Sequence, residues 1–119
     1  MYIFKNKVVF FENISFFEVK DEMIYLSFRK VIKTEKINTS MSNAEFSKIL
    51  KDEKISYIKK VGPYYINLNK IIYFEENLDK ELTKPDRIWI RFVFEIDYLD
   101  IEVTKEFWNF WKQTNNIKL

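Results

Sequence analysis

Asp100 and Glu102 stand two residues apart, and Glu75 and Glu76 are adjacent, in a chain of 119 residues. On a strand, a spacing of two puts both carboxylates on one face. Such a pair does acid–base work when burial raises the pKa of one member; otherwise the same residues are solvated acidic positions. Nothing else of a catalytic set accompanies them. The chain has no histidine and no cysteine, which removes the commonest general base, the commonest zinc ligand, disulfides and thiolate–metal sites. There is no P-loop, nucleophile elbow, metal motif or dinucleotide fingerprint. No loop has the acidic alternation and glycine of a calcium site. The expectation is a protein that is not an enzyme, with no catalytic residue, no cofactor and no metal.

Aromatic residues make up 18% of the chain. Tyr64, Tyr65, Trp89, Trp108 and Trp111 have the chemistry to stack on bases. They also fit a core, with their polar tips at the surface, and their strand and helix spacing favours packing. Trp89 lies opposite the Ile88/Ile90 face and is the expected exposed exception, a position that marks a protein interface more often than a nucleic-acid platform.

The elements that must hold these residues are mostly strands. Short apolar runs at 2–4 and 7–11 flank Lys5-Asn6 and predict a hairpin. Residues 14–19 follow, then a polar break at Lys20-Asp21-Glu22. Residues 23–28 alternate, with Ile24, Leu26 and Phe28 on one face, and 31–37 pair back. Ser42 and Glu45 form the pattern of a capping box, and Phe46, Ile49 and Leu50 make a helical stripe behind them. Strands are predicted at 56–61 and 64–68 around Gly62-Pro63, then at 71–74. Residues 75–86 are polar and contain Pro85, the expected long loop. Residues 87–94 alternate clearly, and 96–103 put Tyr98, Asp100 and Glu102 on one side and Leu99, Ile101 and Val103 on the other. Thr104 caps a closing helix over 105–113, predicted to dock through Phe107, Phe110 and Trp111.

Hydrophobic residues are 47% of the chain, with one Gly and two Pro. That is too apolar for disorder and too poor in linker residues for several domains; a chain of this size buries about two-thirds of its unfolded surface. Net charge is +2, from 20 basic and 18 acidic residues, so binding to nucleic acid requires a local patch. The N-terminus lacks an apolar leader segment, and no stretch approaches the ~20 apolar residues of a membrane span. A cytoplasmic protein with no membrane partner is expected.

Residues 57–71, YIKKVGPYYINLNKI, resemble the core signature of LytTR-type DNA-binding domains, a bacterial family. Tyr57 stands for the family's phenylalanine and Lys59 for its arginine. Val61-Gly62-Pro63 occupy the place of a His-Arg-Ser turn, and Tyr64, Ile66 and Asn67 match the Tyr-x-Val-Asn strand. Glu12, Ile14, Phe16, Phe17 and Glu18 are similar to an earlier family segment. Val103-Thr104-Lys105-Glu106-Phe107 resembles the closing Val-Ser-Arg-x-Tyr. The matches run over residues 8–111.

The resemblance implies a mainly β, α+β fold: small antiparallel sheets packed together with two short helices, in one LytTR-like domain over 1–119 and no receiver domain. An input signal would then come from a partner or another chain. It further implies binding of double-stranded DNA in transcription regulation, with Lys59, Lys60, Lys70 and Lys105 on phosphates and Asn67 on a base edge. Each has a plainer reading. The lysines keep strand edges soluble, Asn67 bonds its own turn, and Gly62-Pro63, without donor side chains, is a rigid structural turn. The alternative function is a protein-interaction module, with a partner protein or a second copy of the chain, that kept the fold and lost DNA contact.

Overall fold

The computed structural model describes residues 2–4, 7–30, 32–76 and 84–115. Strand β1 (Tyr2–Phe4) pairs with β2 (Lys7–Val9), as the two apolar runs suggest. A short 3-10 turn, Phe11–Asn13, leads into β3 (Phe16–Lys20), β4 (Met23–Lys30) and β5 (Lys33–Ser42). Helix α1 (Asn43–Asp52) follows, then β6 (Ile58–Val61) and β7 (Tyr64–Asn67). A second 3-10 turn, Leu68–Lys70, precedes β8 (Tyr73–Glu76), β9 (Arg87–Val93), β10 (Tyr98–Thr104) and helix α2 (Lys105–Thr114). The fold is mainly β with two helices. The expected Lys5-Asn6 turn, Val31 and most of the polar loop after Glu76 lie outside the described residues.

The strands form a five-stranded antiparallel sheet in the order β5-β4-β3-β7-β6, a three-stranded one in the order β10-β9-β8, and the N-terminal hairpin. Period-two alternation makes the five-stranded sheet the middle layer. Phe17 and Tyr65 face one way, onto Phe46 and Leu50 of α1. Their neighbours Phe16 and Ile66 face the other way, onto Ile90, Phe92, Ile101, Trp108 and Trp111. Ring contacts tie both layers: Phe17 lies 4.8 Å from Phe46, and Phe16 stacks on Phe94 at 5.7 Å.

Both helix starts follow their capping residues. The Ser42 hydroxyl accepts the Glu45 amide at 3.1 Å, and the Thr104 hydroxyl accepts the Phe107 amide at 3.1 Å. The box at α1 is closed differently from the expectation. The Ser42 hydroxyl donates to the Glu45 carboxylate at 3.2 Å, while the Asn43 amide donates to the Glu22 carbonyl.

Helix α2 corrects one expectation. It docks through Trp108 and Trp111, stacked at 5.1 Å and 11°. Phe110 is 66% exposed and Phe107 37% exposed. The stripe 107/110/111 and the stripe 108/111 share Trp111, and their centres differ by roughly 75° around the helix; the frame that buries both indoles prevails. Burying an aromatic of this size removes the most apolar area from water.

Candidate nucleic-acid interface

Three turns that are far apart in the chain meet at one end of the molecule. The β3–β4 turn is built on Asp21 and Glu22, both with positive φ (51° and 63°), the conformation of a type I′ hairpin turn. Just before it, the Val19 amide donates to the Pro63 carbonyl at 2.7 Å. That bond ties the β3–β4 turn to the β6–β7 turn. Gly62 in the latter sits against β10: a Cβ there would stand 3.2 Å from Ile101 Cγ2 and 3.7 Å from Val103 Cγ1. With φ at +57°, Gly62 holds a left-handed backbone that glycine alone adopts at little cost. At the C-terminal end of β10, beside Val103, the Lys105 amide donates to the Asp86 carbonyl at 2.9 Å. The start of α1 joins the same end through the bond between Asn43 and Glu22.

This assembly carries Lys60 and Lys105, both exposed, and half-buried Lys59. It also brings Lys20 and Lys84, exposed residues that sequence reasoning did not single out as contacts. No local pattern marks those two; only the long-range bonds place them here. None of these five lysines has a carboxylate within salt-bridge distance among the described residues. Asp21, Glu22, Asp86 and Glu106 are exposed at the same end, so the charge is mixed.

The two arginines of β9 are committed elsewhere. Arg91 makes a bidentate pair with Asp100 (2.7 and 3.0 Å) and lies 4.3 Å from the Tyr98 ring centroid. The bond to Asp100 pushes the Arg91 guanidinium further up, so it stays charged throughout. Arg87 donates to Glu102 at 2.9 Å. Asp100 and Glu102 do share a face, as read from their spacing, but each is spent on an arginine. Glu76 is bonded to Lys112 at 3.1 Å.

Lys70 is not brought to the other lysines. It lines a crevice with Glu95 and Ile96 of the β9–β10 turn, whereas Lys105 follows Thr104 at the opposite end of that strand pair. Asn67 departs further from its expected contact with a base. It is fully buried, and its side-chain nitrogen donates to the carbonyls of Phe11, Glu12 and Ile14. Its side-chain oxygen accepts the Asn69 amide at 2.9 Å. The turn reading of Asn67 therefore holds, and no atom is left for a base edge.

The aromatics divide as their spacing suggests. Trp108, Trp111 and Tyr65 are buried, and Trp89 is half-exposed on the outer face of β9. The Tyr65 hydroxyl donates to Asn43 Oδ1 at 2.7 Å, and burial raises its pKa. Burial and the neighbouring Glu18 raise that of Tyr64. None of the described helices is long and apolar enough to cross a membrane.

No protein-family model matches the chain, and neither curated proteins nor solved structures give a match.

Proposed function

We propose that this chain is a bacterial DNA-binding domain of LytTR-like layout, working in the cytoplasm. It would meet duplex DNA with the end formed by the β3–β4 turn, the β6–β7 turn and the β10–α2 junction. The observation that carries this reading is the convergence of those three turns, which puts Lys20, Lys60 and Lys105, without an ion pair among the described residues, on one end. Turns projecting from packed sheets suit groove edges, and lysines there neutralise phosphates and release counterions. Lysine is a point charge without the bidentate fork of arginine, and Asn67 is committed inside the fold. Contact is therefore mainly with the backbone, and discrimination between sequences is modest.

A second reading has its own support. The interleaved Asp21, Glu22, Asp86 and Glu106 weaken a single-sign field and suit a partner protein of mixed charge, as the interaction module requires. Fluorescence anisotropy with labelled duplex fragments, at low and moderate salt, separates the two. The DNA reading expects saturable binding at low salt that weakens steeply as salt rises. Absence of binding at low salt leaves the interaction module as the account.

A further inference from the structure

Lys70 has no place at the proposed DNA-facing end; it lines a separate crevice with Asn13, Asn69 and Glu95. The crevice it lines has a volume of about 480 Å³, within the usual range for small-molecule sites. Asn67 fixes two of its walls at once. Its nitrogen holds the carbonyls of the Phe11–Asn13 turn and of Ile14, its oxygen holds the Asn69 amide, and its own amide donates to the Ser15 carbonyl. The third wall is the β9–β10 turn, closed by the bond from the Phe94 amide to the Asp97 carbonyl at 2.9 Å.

The polar side chains that line this crevice are Asn13, Ser15, Asn69, Lys70 and Glu95. None of the five has a side-chain hydrogen bond or ion pair as donor or acceptor among the described residues. Lys70 and Glu95 therefore border one crevice as opposite charges that do not pair with each other. Ile72 (64% exposed) and Ile96 (60% exposed) supply apolar wall.

We propose that this crevice binds a small zwitterion with an aliphatic side chain, an α-amino acid of the leucine or isoleucine type. Its carboxylate meets Lys70, with amide donors from Asn13 or Asn69 beside it. Its ammonium meets Glu95. Its side chain covers Ile72 and Ile96, removing apolar surface from water on both partners. Charge-assisted hydrogen bonds at both ends give orientation, and walls already fixed by Asn67 reduce the ordering cost of binding. The site stands on residues outside the proposed DNA contacts, so its test is independent of that reading.

An amide-resolved NMR titration with L-leucine tests the proposal. Saturable shifts are expected for residues around 13–15, 69–72 and 94–97, with the rest of the spectrum unmoved. 4-Methylpentanoate lacks the ammonium, isoamylamine lacks the carboxylate, and glycine lacks the side chain; each should bind at least about tenfold more weakly, a loss of ~1.4 kcal/mol or more. Lys70→Gln and Glu95→Gln keep the side-chain stems and should each weaken leucine binding by a similar factor. Shifts that do not saturate would overturn the proposal. So would equal binding of 4-methylpentanoate and leucine, or leucine binding unchanged by either substitution in a protein with an otherwise native spectrum.

Discussion

The Asn67 side-chain nitrogen donates to the Ile14 carbonyl across 3.0 Å, joining residues 53 positions apart in the chain. With its bonds to Phe11, Glu12 and Asn69, this one buried amide holds the entrance to β3 against the exit of β7. Asn67→Ala strips partners from several carbonyls and one amide that are buried or part-buried. Each buried group left unpaired costs roughly 1–3 kcal/mol, a large share of the ~5–15 kcal/mol that holds a small domain together. Urea denaturation should show a sharply lowered midpoint. An unchanged midpoint would mean that the amide does not bind the two segments together.

Helix α2 offers a paired comparison on one element. Trp108 is 1% exposed and packs edge-on against Phe74 and Phe92. Trp108→Ala should cost about 3–5 kcal/mol. Phe110 is 66% exposed, and Phe110→Ala should stay within about 0.5 kcal/mol of the parent protein. Thermal unfolding of the two variants side by side checks the helix frame; the reverse order of effects would restore the stripe first expected for Phe107 and Phe110.

That frame marks where sequence reading ended. Ser42 and Thr104 announce their helices because a cap is a contact within three residues, legible in the local spacing. The alternation of Ile88, Ile90 and Phe92 likewise reveals which side of β9 is buried. Helix α2 carries apolar residues on adjacent faces, and only the shape of the sheet beneath it selects the tryptophans. The candidate site was legible as single residues and not as a place. Lys59, Lys60 and Lys105 were marked by resemblance, but the contacts among Val19, Pro63, Gly62, Ile101 and Val103 that gather their turns are long-range and leave no local pattern. The same limit hid the fate of Asn67, whose partners lie more than fifty positions upstream, and the separation of Lys70 from the other lysines.

Gly62→Ala should lower stability by about 1–2 kcal/mol, the cost of a left-handed backbone in a residue with a Cβ. The added methyl would also stand 3.2 Å from Ile101 Cγ2, so that side chain has to give by a few tenths of an ångström. Denaturant titration measures the loss. A neutral effect would show that the turn is free to move away from β10.

Asp97 should make stability depend on pH. Burial pushes its carboxyl pKa up, and the charge of Arg29 pulls the other way without cancelling that effect. A carboxylate raised in the folded state contributes its stability while protonated and loses it as pH rises through the folded value. Asp97→Asn removes the group that must ionise in a desolvated place. The variant should therefore be more stable than the parent at neutral pH, with the gap closing as pH falls below the ordinary carboxylate range. A gap that widens in acid would reverse the assigned sign.

The salt dependence of DNA binding in a Lys60→Glu/Lys105→Glu variant shows whether the end where the three turns meet contacts phosphates. Both lysines are exposed at the end where the three turns meet, and each phosphate contact contributes ~0.9 to the slope of log K against log salt. Anisotropy titrations of parent and variant on the same duplex, across a range of salt, should show weaker binding by the variant and a slope shallower by about two units. A parent protein that binds duplex DNA with the same affinity and slope as the variant, or that does not bind at low salt, would contradict the account.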